Sequence, residues 1–145
     1  MKFADILNAF RTGSGTARSH MKNLLEMAAT DGHFQDVEYE LLKSIAKENN
    51  ISESELKEIQ KNPQGIKFEV PQDKRIKFTQ LYDLVHMMSV DNNIHPDELK
   101  LAHLFAIKFG YPSAKAKELV DTITQNIRNK LPASEAIKRA EMMLM

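Results

Sequence analysis

The sequence contains no cysteine, and that one absence removes disulfides, thiolate metal sites and cysteine nucleophiles together. It also lacks net charge. Its 20 Lys and Arg residues balance 20 Asp and Glu, so no overall basic field draws the chain to nucleic acid or anionic lipid. The opening MKFADILNAF places Asp5 and Asn8 inside any would-be apolar core, so it reads as neither a secretory signal nor a membrane span. The expectations are therefore a cytoplasmic protein with no nucleic-acid partner and no direct membrane insertion. Alternation with period two over a useful length is missing as well, which excludes a substantial sheet.

What remains is helical spacing. With 145 residues, 42% of them hydrophobic and 28% charged, the chain has the size and composition of one soluble globular domain. Residues 1–15 are expected to form an N-terminal arm or short helix, hinged at Gly13-Ser14-Gly15, and residues 16–145 a single helical domain. Met21, Leu24, Leu25 and Ala28 form the first apolar stripe, and Leu41, Leu42, Ile45 and Ala46 the second. Ser52-Glu53-Ser54-Glu55 reads as a capping box, with the serine taking one free N–H and Glu55 reaching back to another. The stretch NPQGIKFEVPQ, Asn62 to Gln72, is the main internal connection, and its IKFEV core is expected to be loop because a lone strand has no partner. Helices follow from about Asp73 (Leu81, Leu84, Val85, Met88) and from Pro96 to a stop at Gly110. Ser113 is expected to cap the helix of Leu119, Val120, Ile123 and Ile127, and Pro132 to open the last one. The expected fold is thus all-α, a compact bundle of about seven helices, with an eighth if Lys2 to Phe10 also coils. The eight methionines, five of them after position 86, read as adaptable core filler.

The chain says one thing twice. A shift of sixty residues aligns Leu24 with Leu84, Met27 with Met87, Asp31 with Asp91, Glu38 with Glu98, Leu41 with Leu101 and Ala46 with Ala106. Phe34 falls on Ile94, and Ser52 on Pro112. Two pseudo-equivalent helix-turn-helix units are expected, at about 19–62 and 73–129. Within each, the Asp ends the inward stripe of one helix and the Glu begins the inward stripe of the next, so both carboxylates face one corner. Charges that face inward need partners.

Asp31-Gly32-x-Phe34-x-x-x-Glu38, flanked by amphipathic helices and repeated as Asp91-x-x-Ile94-x-x-x-Glu98, resembles the tellurite-resistance TerB-like family. The resemblance covers roughly Thr16 to Ile127. It implies an all-α domain of two helical halves and a non-enzymatic role in bacterial stress-response assemblies near the membrane, hence a protein partner. It also implies an acidic site binding a divalent cation, of Ca or Mg type and weakly held. The residues at that site are Asp31, Glu38, Asp91 and Glu98, with Asp36, Asp97 and His95 as outer candidates. The second unit departs from the pattern, with Asn92 in place of glycine and His95-Pro96 following, so the two halves are not expected to bind metal equally.

Rival readings of the same residues stand beside this one. The motif matches the second half of a calcium EF-hand loop, but the first ligand positions are Met27 and Ala29, and Met87 and Ser89 in the second copy, which rules against an EF-hand. Glu38 and Glu98 also occupy the place from which a glutamate caps its own helix, so the doubled motif reads equally as a tight corner between helices. A metal-dependent hydrolase using these carboxylates, with His95 as acid or base, is the alternative from another class. His33, His86 and His103 show no His-x-x-x-His or Glu-x-x-His spacing. From Glu26 to Glu58 nine acidic residues face three basic ones, either a solvated face or a docking surface for a basic partner. Short basic excesses lie at Met1–Lys22 and around Lys74–Lys77.

Overall fold

A computed structural model of the protein describes residues 15–30, 36–90 and 94–143. Among these residues there are seven α-helices and no strand: α1 Gly15–Ala29, α2 Asp36–Glu48, α3 Glu53–Lys61, α4 Lys74–Ser89, α5 Pro96–Lys108, α6 Ser113–Arg128 and α7 Ala133–Met143. The all-α bundle expected from apolar spacing is what the chain forms. The eighth helix considered for Lys2 to Phe10 lies outside the described residues.

The bundle is organised around α4. Phe78, Gln80, Leu81, Tyr82, Asp83, Leu84, Val85, Met87, Met88 and Ser89 are all buried, so beyond its exposed first turn (Lys74, Arg75, Ile76) this helix has little face left for water. A helix that is apolar nearly all round belongs in the interior. It packs against α1, α2, α5, α6 and α7, while α3 closes over α1 and α2. Met21, Leu24, Met27, Leu42, Leu56, Leu81, Leu84, Met87 and Met88 are each no more than 1% exposed. Every such side chain taken from water contributes about 1.5–3 kcal/mol before conformational entropy is subtracted.

Three of the turns between helices share one construction. Asn50, Gly110 and Lys130 have positive φ, at 60°, 101° and 59°. In each case the next residue donates its N–H five positions back: Ile51 to the Ala46 carbonyl, Tyr111 to Ala106 and Leu131 to Asn126. The positive-φ residue itself donates three back, to Lys47, Ile107 and Ile127 respectively. This paired bonding satisfies carbonyls that would otherwise be stranded at a helix C-terminus. At two of them the residue that follows, Ile51 or Tyr111, is buried, and in all three the next helix begins two positions further on, at 53, 113 and 133.

Helix starts are less uniform. Ser52 Oγ accepts from Glu55 N–H at 3.1 Å, and Asp73 Oδ1 from Ile76 N–H at 2.9 Å. The reciprocal half of the box expected at Ser52 is not made, because Glu55 turns instead to Arg18 of α1, with Nε 3.7 Å from Oε2. Ser113 does not cap α6. It is already the first helical residue, and Pro112, with φ −57° and ψ 143°, holds the cap position without a side-chain hydrogen bond. Pro132 holds the same place before α7, where its carbonyl accepts from Ala136 at 3.0 Å, so the helix opens one residue later than expected.

The connection from α3 to α4 is loop after one 3-10 turn at Pro63–Gly65, and IKFEV forms no strand. It works as a strap. Phe68 lies over α5, with ring centroids 6.4 Å from Phe105 and 6.0 Å from Phe109. Glu69 N–H donates to Ser19 Oγ at 2.9 Å, and Lys22 Nζ to the Ile66 carbonyl at 3.1 Å, both on α1. Gly15 sits directly against the strap, where a Cβ would run into the Glu69 carboxylate.

Candidate functional site

Glu38 lies in the first turn of α2 and is 2% exposed; Glu98 lies in the first turn of α5 and is 3% exposed. Both inward-facing glutamates are therefore where helical spacing places them. Asp31 and Asp91, their expected companions, lie outside the described residues, as does His33. Asp36 begins α2 and is exposed. Asp97 and His95 are exposed at the head of α5.

At the second corner the hydrogen bonds assign local roles. The His95 N–H donates to Glu98 Oε1 at 3.0 Å, and the Asp97 N–H donates to His95 Nδ1 at 3.1 Å. This is a capping box with histidine in the serine position. In this hydrogen bond His95 Nδ1 is the acceptor. The same Nδ1 lies 3.7 Å from Asp97 Oδ2. A glutamate holding the backbone of its own helix has one oxygen committed, which is the corner reading of the motif at Glu98.

Among the described residues no group of three or more His, Asp or Glu side chains is placed to hold a metal ion. Neither Glu38 nor Glu98 lines any of five surface cavities formed by the described residues. His86 is half-buried beside Tyr82, with centroids 5.8 Å apart. Burial lowers its pKa from the ordinary 6.5, and Asp83 opposes that shift. His103 is also half-buried, with an Nε2 that has no hydrogen-bond partner.

The most unusual polar arrangement is one the sequence did not single out. His20 of α1, 0% exposed, meets Asp83 of α4, 7% exposed, with Nε2 and Oδ2 2.9 Å apart. The carboxylate can only accept, so Nε2 carries the proton. Around this pair lie further buried polar groups without partners: His20 Nδ1, Asn23 Nδ2 and Gln80 Oε1. Ser19, Asn23 and Gln80 are themselves no more than 3% exposed. Burial, followed by the Asp83 charge, raises the Tyr82 pKa. A signal was present in the sequence. Where apolar residues recur round most of a helix, as Phe78, Leu81, Leu84, Val85, Met87 and Met88 do, a Gln or Asp between them is a candidate for burial and then needs a partner on another element.

The fold and these sites define a small all-α bundle with two buried first-turn glutamates and a buried His–Asp pair at its central helix. No family model, no curated protein and no solved structure matches the chain.

Proposed function

We propose that the chain is a non-enzymatic helical binding module of TerB-like type. In this reading it works in the cytoplasm and offers the acidic corner at the head of α2 to a divalent cation of Ca or Mg type, and with it to a protein partner in a stress-response assembly. The observation that carries this reading is the burial of Glu38. Of the four acidic residues of α2, Asp36, Glu40 and Glu48 are exposed and only Glu38 is buried. Asp36 already offers the helix N-terminus its negative charge from water. Withdrawing a second carboxylate costs several kcal/mol unless charge or donors meet it inside; Glu38 is not without a partner in the fold, and a cation would add to the interactions it already makes. Asp31, seven residues before it in sequence, is the proposed source of a second carboxylate ligand.

Supporting the two-unit architecture, α2 and α5 begin and end sixty residues apart, and α3 and α6 begin sixty residues apart. The positive-φ residues Asn50 and Gly110 keep the same offset. The units then diverge, since α3 stops at Lys61 while α6 runs on to Arg128.

Thermal melts across a Ca²⁺ or Mg²⁺ titration test the proposal. Metal should stabilise the wild type by mass action, by about 2.7 kcal/mol at one hundred times Kd. Glu38→Gln should abolish that increment while leaving the metal-free melting temperature nearly unchanged, because glutamine still accepts a backbone N–H. Glu98→Gln, at the corner closed by its capping box, should keep the metal response. A wild type indifferent to millimolar divalent ions would sink the metal reading and leave Glu38 as part of a helix corner.

A further inference from the structure

Two helices of the bundle hold matching places, and their outward faces differ in kind. α2 and α5 are each 13 residues long, and buried, half-buried and exposed positions follow in the same order along both. Beyond the first turn the exposed residues of α2 are Glu40, Ser44, Lys47 and Glu48, all polar. At the same places α5 exposes Lys100, Leu104, Ile107 and Lys108, whose spacing puts them on one face. Leu104 and Ile107 are 47% and 44% exposed. A single leucine in water needs no explanation. Here α2 carries serine and lysine at the corresponding positions, so a helix in this setting does not need the apolar pair in order to fold. The strap widens the patch. Phe68 is exposed at the flank of α5, where Lys108 Nζ lies 5.4 Å over its ring, and Lys67 beside it is exposed as well. Three lysines against Asp97, at the head of the same helix, leave this apolar strip with a basic rim.

We propose that this face docks an amphipathic helix of a partner protein, one whose apolar stripe is flanked by carboxylates. Burial of Leu104, Ile107 and the outer side of Phe68 supplies the attraction, and the lysines select the sign of the partner's charge. Lys100 and Lys108 stand eight residues apart, about 12 Å along the helix axis. Acidic residues seven or eight apart on an aligned helix reach both. Among the described residues no strand offers an edge to an extended peptide, which favours a helical occupant. An anionic lipid surface carries the same sign of charge, and Phe68 would be its natural anchor. That ring, however, is held between centroids 6.4 Å from Phe105 and 6.0 Å from Phe109, so it does not stand free to enter a bilayer. The face belongs to α5 and the strap and holds or fails independently of the Glu38 corner on α2.

The test titrates the full chain with two synthetic amphipathic helices that share a leucine stripe, one flanked by glutamates and the other by lysines. Fluorescence anisotropy of the labelled peptide reads affinity, and the Leu104 and Ile107 methyl resonances report where it binds. Saturable binding with shifts of both methyls is expected for the glutamate peptide, weakening as salt is added, and at least about tenfold weaker binding for the lysine peptide. The variants copy α2 onto α5, so they place at each position a residue that the fold already accepts at its counterpart. Leu104→Ser with Ile107→Lys should weaken the glutamate peptide at least about tenfold. Lys100→Glu with Lys108→Glu should reverse the preference toward the lysine peptide. Absence of saturable binding, or variants that titrate like the wild type, would overturn the assignment. Two further results would also overturn it: self-association of the chain that Leu104→Ser with Ile107→Lys abolishes, which gives the face to a second copy, and binding to phosphatidylserine vesicles with the same dependence, which gives it to a lipid surface.

Discussion

Replacing His20 by leucine keeps most of the side-chain volume and removes one thing, the Nε2–H that Asp83 Oδ2 accepts at 2.9 Å. The carboxylate left behind is 7% exposed and sits in the most enclosed helix of the bundle. Removing one partner of a buried charged pair typically costs about 3–5 kcal/mol, chiefly the penalty of the charge that stays. Here the low end applies, because Asp83 also lines a cavity through which water can approach it. The expected loss is therefore about 3 kcal/mol, or roughly 6–12 °C in melting temperature for a chain of this size. Replacing both members, His20→Leu with Asp83→Leu, removes the stranded charge and should bring stability back to within about 1–2 kcal/mol of the wild type. Urea unfolding followed by far-ultraviolet circular dichroism measures all three differences, provided the slope with denaturant is unchanged. A single-variant loss below about 1 kcal/mol, or a double variant worse than the sum of the singles, would refute this account of the pair.

Other expectations follow from the turns and from His86. Gly110, at φ 101°, should tolerate alanine poorly, losing about 1–2 kcal/mol, whereas Asn50→Gly at φ 60° should be neutral or stabilising by a few tenths; chemical denaturation distinguishes them. Burial lowers the His86 pKa from 6.5, so the unfolded chain takes up a proton first as pH falls. Its contribution to stability is then complete above about pH 6.5 and is lost as pH drops through the lower folded value. Urea midpoints measured between about pH 5 and 8 should show this slope, and His86→Phe should flatten it.

Much of the fold could be read before any coordinates because its determinants are local. Gly110, Pro96, Asp73 and Ser52 mark helix ends through backbone rules that need no knowledge of the rest of the chain, and each lies at or beside the boundary it signals. The inward direction of Glu38 and Glu98 followed from their spacing to Leu42 and Ala102. Misjudged details were those where a local rule met a competitor. Glu55 had a backbone N–H within reach but also Arg18 across the helix interface. Ser113 was a good cap residue placed one position too late, behind a proline whose ring fixes the entry to the helix. The pairing of His20 with Asp83 was illegible for a different reason. They are sixty-three residues apart in sequence, and no periodicity within either helix says which polar residue on one will face which on the other.

The three matching turns at Asn50, Gly110 and Lys130 bear on the order in which the molecule assembles. Each joins helices that are neighbours in sequence through a handful of residues, so α5, α6 and α7 can find one another by short, rapid searches. For α1 the search is long. Its partner α4 is separated from it by α2, α3 and the whole strap, and closing so large a loop is the kinetically expensive step. The expectation is that α1 meets its neighbours α2 and α3 early and that its docking onto α4 is the later event. A substitution at His20 would accordingly act on the unfolding limb of a chevron plot and leave the refolding limb almost where it was. The helix that supplies the one buried imidazole among the described residues is, on this view, also a latch against α4.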